Sequence, residues 1–396
     1  MSKKLVYALI LIVFTIMLGA VFRVRRVEAI GFVYIRSNGS VDPPSAPIST
    51  IDNMTYTLTD NILNETIVVE RDNVIVDGVG YTIRGADLYF FKGISISGRN
   101  NVTIMNMTIS TFDPPIWINY SSNIRIIENR IFGNCSENDS GIHIEVSSNI
   151  SIIGNLIMGT NYQGIWINDQ SPHNKIVGNN ITGNFRYGMR IYSSYNNITA
   201  NTIASNFYEG VWFSHSLGNM VSKNKIIGNG ISSQGNGLWF GSSSNQSIVF
   251  KNNITNCPYG IVFIHSSSNN SVFENNIMEN QNGIWMYDSS NHNKIYHNNF
   301  INNTVHALVE NSMNIWDDNY PSGGNYWSNY TDIDQYSGPY QNITGNDEIW
   351  DHPYVIDESN QDNYPLVPEF SSLLVLPLFM IATLLAVIVY RRKHTI

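Results

Sequence analysis

His143, Glu145, Asp169 and Arg190 place an imidazole, two carboxylates and a guanidinium in three consecutive copies of one short motif. Stacked a coil or two apart, at roughly 5–10 Å, two carboxylates fit either geometry of glycoside hydrolysis. In a lyase, Arg190 or His143 would be the base, with Glu145 and Asp169 clamping a metal or the substrate. The motif also carries five of the chain's eight tryptophans, Trp117, Trp166, Trp212, Trp239 and Trp285, at one equivalent position. Each indole offers roughly 150–250 Å². A row of them would expose more apolar area than the 300–600 Å² typical of a monomer's largest patch.

What must position these residues is a repeat. Copies start at Gly93, Pro115, Gly141, Gly164, Gly188, Gly210, Gly237, Gly260 and Gly283, with a faded copy at Ala307. Starts 22 to 27 residues apart imply a solenoid. Each copy holds an apolar triplet such as Ile165-Trp166-Ile167, a Ser/Asn-rich turn, a second short strand and Asn-x-Ile, the period-two pattern of strands. The Asn recurs at 106, 129, 155, 179, 201, 224, 252, 275 and 298, where stacked amides form a ladder and the backbone turns left-handed. The predicted fold is all-β, a right-handed parallel β-helix of about ten coils rising about 4.8 Å each. In the strand after each glycine the first and third residues point inward. The outward column then reads Ser95, Trp117, His143, Trp166, Arg190, Trp212, Trp239, Val262 and Trp285.

The ends set the location. Lys3 and Lys4 precede an apolar run from Leu5 to Phe22 and a small-residue site at Val27-Glu28-Ala29, a signal peptide over 1–29 or, given Arg23, Arg25 and Arg26, an N-terminal anchor. Residues 30–92 read as a cap with the first coils, 93–313 as the repeats, 314–366 as a capping segment and 367–396 as an anchor. In the last, Pro368-Glu369-Phe370 leads into the apolar span Leu373 to Tyr390 and Arg391-Arg392-Lys393, which resembles archaeal C-terminal sorting signals processed by archaeosortases. Whether kept as a span or exchanged for a lipid, it would hold the rod on the extracellular face of the membrane, anchored at its C-terminus.

The whole chain carries a net charge of −9 with only 13% charged residues, which argues against nucleic-acid partners. Sequons such as Asn101, Asn149, Asn180, Asn253 and Asn342 suit a surface glycoprotein. Cys135 and Cys257 fall five coils apart, roughly 24 Å, too far for a disulfide.

The repeats, the entry segment (Tyr34-Ile35-Arg36 and Val68 to Gly78) and the closing segment Tyr320 to Tyr330 resemble the NosD-like β-helix proteins, the carbohydrate-binding and sugar-hydrolase-type (CASH) group, over about Gly31 to Leu366. The resemblance implies a β-helix, and with it copper loading or sugar-directed roles. Related closing segments continue into a calcium-like loop. Here Glu348 and Trp350 replace the expected glycines, leaving Asp347 and Asp351, with Asp332 and Asp334, as the candidate Ca²⁺ ligands or as plain cap residues. Eight of the nine histidines, His143, His173, His215, His265, His292, His297, His306 and His352, are scattered along the chain before the C-terminal span, and no His-x-His or Met-x-x-Met cluster serves copper. The leading expectation is a surface protein that binds polysaccharide along the Trp column. The alternatives are a structural or adhesive, S-layer-associated protein whose column is covered by 314–365, then a lyase or hydrolase, then a copper-loading accessory.

Overall fold

The computed structural model describes residues 31–86, 91–133, 140–231 and 235–368. The signal segment, the C-terminal span and Cys135 lie outside them. Among the described residues no helix is long and apolar enough to cross a membrane.

Three parallel sheets of thirteen, twelve and twelve strands wind into a solenoid of about eleven turns. Each turn contributes one short strand to each sheet, as in Gln163–Ile167, Lys175–Val177 and Asn180–Thr182. Pairing is in register and parallel from turn to turn, so equivalent repeat residues stack. At the N-terminal end, two antiparallel pairs, Gly31–Ile35 with Val41–Asp42 and Ile48–Ser49 with Thr55–Leu58, finish the sheets.

The core is the stack of inward residues. Ile165, Ile167, Ile176 and Ile181 are fully buried, as are their equivalents along the rod. Phe213, Phe240 and Phe263 form an inner column with ring centroids 4.6 and 4.9 Å apart. The repeat glycine is needed because a Cβ at Gly188 would lie 2.5 Å from the carbonyl oxygen of Gly210 on the next turn. The same close approach, 2.5–2.7 Å, recurs at Gly141, Gly164, Gly210, Gly237, Gly260 and Gly283.

The predicted asparagine ladder runs from Asn129 to Asn298 and on to Asn325. Each Asn takes the next one's side-chain oxygen with both its backbone N–H and its Nδ2, as Asn201 does on Asn224 at 2.9 and 3.0 Å. Two details differ from expectation. Asn106 is one residue out of register, and Met107 stands in the column, its N–H donating to Asn129 Oδ1. The left-handed backbone belongs to the residue before each ladder Asn, such as Glu128, Ala200 or Lys223. The ladder amide therefore satisfies buried backbone groups, and its neighbour makes the turn. A parallel column, Asn184, Asn206, Asn229, Asn280 and Asn303, is interrupted by Cys257. Its thiol is free, buried and pushed up to about 12 by burial.

Residues 314–368 close the C-terminal end. Asn314 and Asn325 terminate two ladders, Trp327 stacks on Phe300 at 4.4 Å, and Trp316 lies buried beside Trp327.

Candidate functional site

The outer face of the first sheet carries the predicted column in register. Ser95 pairs with Trp117, Trp117 with His143, His143 with Trp166, Trp166 with Arg190, Arg190 with Trp212, Trp212 with Trp239, Trp239 with Val262, and Val262 with Trp285. Seven turns separate Trp117 from Trp285, roughly 34 Å. The flanking residues are fully buried, whereas the five indoles are half-buried. Val262 is fully buried in the same column.

The indoles do not lie open as flat platforms. Lys92 Nζ sits 2.9 Å over the centroid of Trp117, His143 stacks on Trp166 at 4.2 Å, and Trp285 is stacked by Tyr259 at 5.1 Å and Tyr287 at 5.6 Å. Stacked rings present edges, not faces, to solvent. The covering groups come from the sheet's own neighbouring turns. Residues 314–365, expected as a possible cover, make their contacts at the end of the solenoid instead.

Much of that cover is a second column, the residue just before each repeat glycine: Lys92, Ser140, Gln163, Tyr187, Glu209, Asn236, Tyr259 and Asn282. It pairs in register, Gln163 with Tyr187 and Asn236 with Tyr259, and its rings reach the indole one turn on, as Tyr187 reaches Trp212 at 5.0 Å. The sequence carries this column only as a fixed offset of one residue before the glycine, with mixed residue types that lack the apolar signature of the triplet after it.

Of the four residues singled out for chemistry, three share this face. His143 and Arg190 stand two turns apart in the Trp column and Glu145 follows His143 on the strand Ser140–Glu145, whereas Asp169 lies exposed in the turn beyond its strand. His143 is pushed down to about 4 by burial and then by Lys92, so it is neutral at ordinary pH. Lys92 is lowered by burial, with Glu145 opposing. Glu209, bonded by Asn236 Nδ2 at 3.0 Å, is pushed up to about 7 by burial, and Tyr187 up to about 12 by burial and Glu209.

Arg190 lies among five rings. Its guanidinium carbon is 4.6 Å from the Trp212 centroid, 4.7 Å from Tyr192 and 5.9 Å from each of Tyr162, Trp166 and Tyr187.

Thirteen buried side-chain polar atoms among the described residues lack a hydrogen-bond partner, and eight are on this face: Asn119 Oδ1, His143 Nε2, both Gln163 amide atoms, Trp166 Nε1, Arg190 Nε, Asn236 Oδ1 and Trp285 Nε1. Buried polar atoms are ordinarily paired, so this face departs from the usual pattern.

The family model for "Periplasmic copper-binding protein (NosD)" matches residues 72–246 and 186–332, the body of the solenoid that carries this face. The chain belongs to the NosD family. No curated protein matches this NosD-family chain in sequence. Among solved structures it is similar to the A-module of mannuronan C-5 epimerase AlgE4 from Azotobacter vinelandii, with 13% identity over 64% of this chain and 82% of that one at a TM-score of 0.46. It is also similar to the enzymatically active domain of tailspike protein 2 from bacteriophage CBA120, with 14% identity, 68% and 43% coverage and a TM-score of 0.43. A third is a double mutant of the periplasmic alginate epimerase AlgG, with 16% identity, 72% of each chain and a TM-score of 0.42.

The family's copper does not fit the residues present. Among the described residues no group of three or more His, Cys, Asp or Glu side chains is arranged to hold a metal ion. His265 and His352 each pair with one carboxylate, Asp288 and Asp332, at 2.6 and 2.8 Å, and His306 is buried and pushed down to about 4. The four aspartates expected around Ca²⁺ share one segment but bond protein groups. Asp334 accepts the N–H groups of Asp347 and Glu348, Asp351 those of Gln335 and Tyr336, Asp332 that of His352, and Asp347 the Gln341 amide. Carboxylates engaged by backbone donors in this way tie a loop together.

Proposed function

We propose that this NosD-family protein is exported and binds polysaccharide along the outer face of its first sheet. The observation that carries the reading is the coincidence, on one rigid face, of the aromatic column with eight of the thirteen unpartnered buried polar atoms. Sugars present both apolar ring faces and many hydroxyls. A ligand of that kind uses ring edges and polar atoms together. Export is supported by the family's periplasmic description and by the leader-like sequence of residues 1–29. Attachment through residues 367–396 completes the proposal, with the rod held outside the membrane.

Trp212 and Trp239, the adjacent pair, are the indoles assigned to the sugar, Trp212 together with the Tyr187 and Arg190 groups already against it, and Trp117, Trp166 and Trp285 contribute their edges. A structural or adhesive role is the second reading, supported by the faces that Lys92, His143, Tyr259 and Tyr287 already cover. The test is tryptophan fluorescence of the purified chain, with acrylamide quenching, against a panel of neutral and acidic polysaccharides. Protection by one glycan, lost in Trp212→Ala without loss of thermal stability, supports binding. Indoles that no glycan protects, together with a large drop in melting temperature for the same variant, support the structural role.

A further inference from the structure

We propose that Arg190 receives the negatively charged group of an acidic polysaccharide, a deepening that rests on the binding role proposed above. Arg190 stands in the strand Tyr187–Ile191, half-buried between Trp166 and Trp212. Its hydrogen-bond partners are neutral: Nη1 donates to the Tyr162 hydroxyl at 3.4 Å and Nη2 to the Tyr192 hydroxyl, while Nε is buried without a partner. The ion pairs formed among the described residues do not include Arg190. This is not for want of acids, since the chain has 31 against 22 Lys and Arg, and Arg36 and Arg99 both find carboxylates. Glu209, close enough to affect Tyr187, accepts from Asn236 Nδ2 and forms no ion pair with Arg190.

A guanidinium withdrawn from water is costly unless an anion faces it, and aromatic walls compensate only in part. The planar fork of arginine matches a carboxylate or sulfate with two parallel bonds. A second, independent feature lies on the same face. Gln163 is fully buried, both its amide atoms lack partners, and it pairs in register with Tyr187. Closed to solvent, this amide is a further uncompensated polar group on the strands that flank Arg190, not itself a sugar contact. The overall negative charge of the chain disfavours polyanions at long range. Recognition at Arg190 is therefore a short-range contact.

The experiment measures binding of the full chain to polygalacturonate, its methyl ester, dextran sulfate and dextran at fixed ionic strength, for wild type, Arg190→Met and Arg190→Lys. The expected result is at least tenfold tighter binding of polygalacturonate than of its methyl ester, lost in Arg190→Met and partly restored in Arg190→Lys. Dextran sulfate then identifies the source: binding that equals polygalacturonate assigns any oxyanion, and weaker binding assigns a carboxylate. If Arg190→Met fails to fold, the ester discrimination of wild type and the partial loss in Arg190→Lys decide the matter. Equal binding of acid, ester and dextran, indifferent to Arg190, overturns this inference while leaving polysaccharide binding intact. Binding to none of the four overturns both.

Discussion

At the scale of single residues, the buried acids make the sharpest predictions. Glu209 is raised to about 7, so the folded state favours its protonated form. The stability it contributes is fully present below the ordinary carboxylate pKa and is lost as pH rises through about 7. Glu209→Gln keeps an acceptor for Asn236 Nδ2 and removes the charge. Thermal melts between pH 5 and 8.5 should show wild type losing on the order of 1–3 kcal/mol more stability than the variant. Parallel curves for the two proteins would remove Glu209 from the account. The same logic applies at the cap to Asp362, fully buried and raised to about 7 by burial, against the opposing donors Asn325 N–H, Trp327 Nε1–H and Tyr364 N–H.

At the scale of the element, the asparagine ladder and the glycine column hold one turn against the next. Asn224 donates to Asn252 Oδ1 and the Ile198 carbonyl and accepts from Asn201. Asn224→Ala leaves several buried groups unsatisfied and should cost about 2–4 kcal/mol in denaturant unfolding. Asn180→Ala, on an exposed position of the same repeat type, should stay within about 0.5 kcal/mol. Gly188→Ala should be worse than either, because its Cβ meets the Gly210 carbonyl at 2.5 Å and the backbone of a stacked turn has little room to move. Equal stability of Gly188→Ala and wild type would mean that the turns are not packed as described.

At the scale of the whole molecule, a solenoid has two ends that must be closed. Trp316 and Trp327 cover the last inner turn, and Asn325, Asp362 and Trp327 bind the cap to it. A chain ending after Glu310 should expose Phe300 and the final strand edges, and associate end to end or aggregate. Light scattering after gel filtration reads this directly, and a monodisperse truncated monomer would show that the cap is dispensable.

The repeat spacing alone determined the coil, the inward isoleucines, most of the ladder and the outward column, because a solenoid's contacts lie one period apart in sequence. That is why Trp117 through Trp285 could be aligned without coordinates, and why Asn106, one residue out of phase, was misassigned. Only the tertiary structure decided how the rings tilt, that Lys92, His143, Tyr259 and Tyr287 cover indole faces, and that Arg190 forms no ion pair among the described residues. Those features depend on side-chain rotamers and on neighbours from three adjacent turns at once. Periodicity specifies which residues stack, whereas the orientation of each stacked group follows from how unequal side chains share the same 4.8 Å or so between turns.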